Sequence, residues 1–176
     1  MSGGLTFTSL AAGDSDVCGL TAAGTAWCWG VNQDGQLGNG TNDNSNVPVA
    51  VSGGLSFSSL GVGYAHNCGL VAGGAAWCWG DDLSYQLGDN QAAGMSSNVP
   101  VAVSGGHSFT AIASGQDGSC GLKADGTAWC WGQNSNGELG KGDADPSGVP
   151  MAVSMPVGKT FDMISFGGYH VIVRTP

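Results

Sequence analysis

Apolar and polar positions along this chain alternate in short runs, and no stretch sustains the three-to-four spacing of an amphipathic helix. The pattern predicts strands. Four β-prone pieces stand out near the start: Phe7-Thr8-Ser9-Leu10, Val17-Cys18-Gly19-Leu20, Ala26-Trp27-Cys28-Trp29 and Val47-Pro48-Val49-Ala50-Val51. Gly-rich or Asn/Asp-rich turn signals separate them. The set then recurs about every fifty residues. Phe7, Phe57, Phe109 and Phe161 head successive copies, and Trp27-Cys28-Trp29-Gly30 returns as Trp77-Cys78-Trp79-Gly80 and Trp129-Cys130-Trp131-Gly132. The copies run over 5–54, 55–106 and 107–158, with a half copy over 159–176. That period, built of short strands, predicts an all-β propeller or a related array. One repeat cannot bury its own apolar faces, so stability must come from stacking neighbours.

The second and third pieces form the clearest hairpin. Ala22-Ala23-Gly24, Ala72-Gly73-Gly74 and Ala124-Asp125-Gly126 lie between them. A three-residue loop ending in Gly suits a type I turn followed by a left-handed bulge residue. This loop sets Leu122 opposite Ala128 and Cys120 opposite Cys130, and likewise Cys18 opposite Cys28 and Cys68 opposite Cys78. Trp27, Trp77 and Trp129 then face Gly19, Gly69 and Gly121, whose bare backbone leaves room for an indole. Side chains alternate along a strand, so both Trp of each copy point away from the cysteine face. Trp27, Trp29, Trp77, Trp79, Trp129 and Trp131 are therefore expected to pack between repeats.

Directly opposed strand residues have Cα separations of about 4.5–5.5 Å, within disulfide range. All six cysteines fall into such pairs, and the half copy places Ile172 where the cysteine would stand, with no partner strand following. Thiol occurs only where a partner thiol exists. The pairs read either as disulfides or as reduced, buried cysteines acting as small hydrophobes. Disulfides would imply an oxidising, extracellular or cell-surface setting, although no basic start followed by an apolar run marks a signal peptide here.

Composition narrows the partners. Among 176 residues there are 33 glycines, and the net charge of −9 includes only four cations, Lys123, Lys141, Lys159 and Arg174. Phosphate backbones are held by clustered positive charge, which is lacking, so nucleic acid is not an expected partner. No apolar run approaches a membrane span.

Several motifs carry a family likeness: Phe57-Ser58-Ser59-Leu60-Gly61-Val62-Gly63, His66-Asn67-Cys68-Gly69-Leu70, Trp79-Gly80, Gln86-Leu87-Gly88 and Val99-Pro100-Val101. Copy one adds Asn32-Gln33-Asp34-Gly35-Gln36-Leu37-Gly38-Asn39-Gly40, and copy three has Asn134-Ser135-Asn136-Gly137-Glu138-Leu139-Gly140 in the same place. These resemble the regulator of chromosome condensation repeats, in their cysteine- and Trp-bearing bacterial form. The resemblance implies a β-propeller of four-stranded antiparallel blades, seven in familiar members. Three and a half repeats make an open arc with apolar blade faces in need of cover. Self-association into a closed ring or a filament would cover them. A piece of a longer propeller would too, and Met1-Ser2-Gly3-Gly4-Leu5 does align with Val51-Ser52-Gly53-Gly54-Leu55 at a repeat boundary. A further arrangement has the half copy adding strands to Leu5–Leu20 of its own or another chain.

Candidate chemistry is sparse. His66 and His170 share a repeat position that holds Asp16 and Gly118 in the other copies, and the resemblance implies a structural bond between strands or blades there. His107, in a Gly-Gly-His-Ser turn, reads as surface. The cysteine pairs lack the two-residue knuckle of a zinc site. Asn42-Asp43-Asn44, Asp81-Asp82 and Asp143-Ala144-Asp145 carry oxygen ligands suited to calcium, but not in the spaced loop ending in Glu; solvated turn chemistry explains them better. The expectation is a protein with no catalytic residues, cofactor or metal. It would act as a structural, protein-interaction module that self-assembles and contacts a further protein. A secreted carbohydrate-binding lectin is the alternative.

Overall fold

The computed structural model describes residues 4–167 and 171–174. The first blade runs β1 (Phe7–Ala12), β2 (Asp16–Thr21), β3 (Ala26–Gly30) and β4 (Ser45–Ala50). The second runs β5 (Phe57–Val62), β6 (His66–Val71), β7 (Ala76–Gly80) and β8 (Ser97–Ala102). The third runs β9 (Ala111–Ser114), β10 (Gly118–Leu122), β11 (Ala128–Gly132) and β12 (Ser147–Ala152), and the half copy gives β13 (Met163–Phe166) and β14 (Val171–Arg174). Each blade is a four-stranded antiparallel meander in chain order, and β13–β14 form a separate two-stranded sheet.

The hairpin turns fix the register. Gly24, Gly74 and Gly126 take φ of +78°, +82° and +80°, the left-handed bulge position that L side chains avoid. Gly24 N–H donates to Thr21 C=O and Thr21 N–H to Thr25 C=O. From there Cys18 pairs with Cys28, Cys68 with Cys78 and Cys120 with Cys130, while Trp27, Trp77 and Trp129 lie across from Gly19, Gly69 and Gly121. The opposed sulfurs sit at disulfide distance, 2.10, 2.13 and 2.04 Å.

Alternation along the strands gives every blade two unlike faces. One carries the sulfurs and the other carries the second Trp and the leading Phe, and the blades stack unlike face to unlike face. Between blades one and two, Cys18, Leu20, Cys28 and Leu37 meet Phe57 and Trp79. Between blades two and three, Cys68, Leu70, Cys78 and Leu87 meet Phe109 and Trp131. Ile164 and Phe166 of the half copy then pack on Cys120, Cys130 and Leu139. The half copy does not extend β1–β2 of its own chain, because β13 pairs with β14 and packs against β9 and β10. Met1–Gly3 and His170 lie outside the described residues.

Candidate functional site

The boundary between blades is a repeated polar and aromatic lock, built on the Gln-Leu-Gly loop that follows β3 and β7. Trp79 Nε1 donates to Gln36 C=O at 2.9 Å, and Trp131 Nε1 donates to Gln86 C=O at 2.9 Å. A buried indole must find such an acceptor. The ring can reach it only because Gly38 and Gly88 lie beneath: a Cβ there would stand 2.8 and 2.6 Å from the indole, and φ is +64° and +66°. Phe57 and Phe109 flank the two rings at centroid distances of 5.6 and 6.0 Å.

The same carbonyls accept a second donor. Asn67 Nδ2 donates to Gln36 C=O at 2.8 Å and to Asp16 Oδ2 at 2.6 Å. In the next boundary Ser119 Oγ donates to Gln86 C=O at 3.4 Å and lies 2.8 Å from His66 Nε2. His66 thus bonds across a blade boundary, where burial lowers its pKa to about 3 and keeps it neutral. Asp16 Oδ1 has no hydrogen-bond partner among the described residues, and burial, opposed by the Asn67 bond, raises its pKa to about 7. A carboxyl raised in the folded state favours folding most fully below its unfolded value near 3.8, and that benefit fades as pH rises through about 7. Asp16→Asn should therefore be more stable than the native sequence at pH 8, by about 1.4 kcal/mol per pKa unit removed. The advantage should vanish below pH 4 in thermal melts; an unchanging difference would contradict the assignment.

The six Trp divide by position. Trp79 and Trp131 are fully buried. Trp77 and Trp129 are half-buried at the edges of the same two cores. His107 is not a free surface residue: it stacks on Trp129 at 4.5 Å, with Lys123 Nζ 4.0 Å from the same ring centroid. Trp27 and Trp29 are also half-buried, and Trp29 keeps its Phe partner, Phe7, at 5.8 Å. Trp29, unlike Trp79 and Trp131, reaches no neighbouring carbonyl among the described residues. Leu10, in the row of Gly19 and Trp27 on the same face, is 60% exposed. Among the described residues no blade covers that face of blade one. Sequence reasoning weighed all six Trp alike; only the direction of stacking separates them.

At the strand ends where β1–β2, β5–β6 and β9–β10 turn, a cleft of about 400 Å³ holds Asp14, Tyr64 and Gln116. Among the described residues no three His, Cys, Asp or Glu side chains converge in one group, and no helix is long and apolar enough to cross a membrane.

Two models of the regulator of chromosome condensation (RCC1) repeat match the chain, one over residues 23–70 and 125–174, the other over 7–36 and 109–138. The ultraviolet-B receptor UVR8 of Arabidopsis thaliana is 27% identical over 169 residues, covering 94% of this chain and 38% of that protein. Prp20p of Saccharomyces cerevisiae, described with its binding to Gsp1p and histones, superposes with a TM-score of 0.84 at 20% identity. That alignment covers 96% of this chain and 43% of Prp20p. The ectodomain of the Physcomitrella patens receptor kinase CR4 superposes at 0.59 with 29% identity, over 98% of this chain and 41% of that one. The chain thus spans less than half the length of these relatives.

Proposed function

This chain belongs to the regulator of chromosome condensation repeat family, and we propose that within it the chain is a non-enzymatic interaction module that self-associates through the open face of blade one. The observation that carries this reading is the contrast between equivalent residues. Phe57 and Trp79, or Phe109 and Trp131, are buried by a neighbouring blade, whereas Phe7, Leu10 and Trp29 repeat that surface without one. A contiguous apolar patch of this kind marks an interaction surface.

Charge supports a head-to-tail arrangement. All four cations lie at position 123 or beyond, in the third blade and half copy, while the first 122 residues carry only acidic charge. The third blade and half copy carry six carboxylates against those four cations, so a first blade, with four carboxylates and no cation, meets less repulsion there than against a second first blade. Head-to-tail contact gives rings when it closes and filaments when it does not. The paired cysteines fit an extracellular or cell-surface setting, as does the likeness to a receptor ectodomain.

Sedimentation velocity over a wide concentration range tests this. Larger species should grow with concentration and disappear in Trp29→Ser while circular dichroism stays unchanged. A monodisperse monomer at every concentration, or association indifferent to Trp29→Ser, would overturn it. The lectin reading is favoured only by half-exposed Tyr64 beside Asp14 in the cleft, and a glycan array tests it.

A further inference from the structure

In each blade the loop after the third strand is closed by one side chain. In blade one, Asn32 Oδ1 accepts from Leu37 N–H at 2.8 Å, and its Nδ2 donates to Thr41 C=O at 2.9 Å and Asp43 C=O at 3.0 Å. In blade three, Asn134 Oδ1 accepts from Leu139 N–H at 2.8 Å, and its Nδ2 donates to Asp143 C=O at 2.8 Å and Asp145 C=O at 2.9 Å. The amide thus ties two carbonyls to the base of the loop.

Blade two replaces that asparagine with Asp82. Its Oδ1 keeps the first role, accepting from Leu87 N–H at 2.9 Å. With that oxygen fixed, Oδ2 falls where the neighbouring blades place an amide donor. Asp82 is 1% exposed and, among the described residues, its Oδ2 has no hydrogen-bond partner. A carboxylate oxygen has thus taken a position that in the sister loops faces carbonyl oxygens, and acceptors alone cannot bond to one another. The loop is also differently wound. Asp82 N–H donates to Ser96 Oγ, fourteen residues on, where Asn32 N–H donates to Asn44 Oδ1, twelve residues on. Asp81 and Asp89 lie close enough to act on the Asp82 charge, and no cation is among the influences on it. Asp81 itself is spent on Leu83 N–H, Ser96 Oγ and Gln86 Nε2.

We propose that the loop over residues 82–96 binds a hard cation of the calcium class, with Asp82 Oδ2 as its anionic ligand and loop carbonyls and water completing the shell. The cation takes the place of the amide hydrogens that Asn32 and Asn134 supply. Calcium suits this better than magnesium, because it tolerates irregular shells of carbonyl, carboxylate and water oxygens. With few carboxylates engaged, its affinity belongs to the weak extracellular class, a Kd of about 10⁻⁴–10⁻³ M. The proposal stands independently of self-association.

The test is the thermal unfolding midpoint of the full chain, stripped with EDTA and titrated with calcium chloride, beside Asp82→Asn. That variant restores the side chain used at the two sister positions, so it should fold. Calcium at about ten times Kd should raise the folded-to-unfolded ratio about tenfold, visible as a midpoint shift of a few degrees. Magnesium should do less, and Asp82→Asn should not respond. Two results would overturn the proposal. One is a calcium response as large in Asp82→Asn as in the native sequence, which would be general screening of an acidic protein. The other is no response at all, which would leave a proton on Oδ2 as the means by which this oxygen is tolerated.

Discussion

Trp131→Ala is expected to cost the folded chain about 3–5 kcal/mol, the range for removing a large buried aromatic. Three losses combine at this position: a fully buried ring, its stacking on Phe109 and its bond to Gln86 C=O. The vacated space would border Gly88, which is too small to fill it, and Leu87 and Cys78 would lose contacts. Urea unfolding measures the effect. Trp29→Ala is the matched control, since it removes the same side chain from the same strand position without a blade against it. Its cost should be well under half as large in dilute solution. Equal costs would mean that the indoles act within their own blades and not between them.

Breaking one staple should have the second-largest effect. Cys68→Ala with Cys78→Ala opens a loop of ten-residue separation in the middle blade. The chain-entropy account gives about 2–3 kcal/mol for a loop of that size. All six cysteines have no solvent exposure, so a reductant cannot reach them until the blade opens. Thiol labelling of the native protein should therefore detect no free cysteine, and reduction should proceed only as fast as local unfolding allows. Rapid reduction without unfolding would contradict this packing; a full count of free thiols in protein freshly prepared without reductant would show the pairs unjoined.

Much of the architecture was legible from residue order because it is local. The turn that ends in Gly24, Gly74 or Gly126 fixes which residues face each other across the hairpin, and strict alternation then assigns both faces. Boundaries were less legible. The fourth strand begins at Ser45, two residues before Val47, because the loop tied down by Asn32 hands the chain to β4 early. Phe109 heads its copy in sequence, but β9 begins only at Ala111, although Phe109 N–H donates back to Gly74 C=O just as Phe57 N–H, at the start of β5, donates to Gly24 C=O.

The contacts between blades were the hidden part. Asp16 and Asn67 are 51 residues apart and His66 and Ser119 are 53 apart, so no short-range pattern pairs them. His66 and Asp16 share a repeat position, and that signal was visible; which residue answers each one follows only from the stacking offset. Asp82 differs from Asn32 and Asn134 in a way alignment of the copies displays. Its meaning appears only when the partners of those two amides are known.

Hydrogen exchange at the six indole N–H groups tests the stacking of blades most directly, followed by NMR at low and high protein concentration. Trp79 and Trp131 should exchange slowly, at rates governed by blade opening, because their protons are buried on the carbonyls of Gln36 and Gln86. Trp29 should exchange fast when dilute and gain protection as concentration rises. Six indoles exchanging alike, with Trp79 and Trp131 as open to solvent as Trp29, would contradict blades locked face to face.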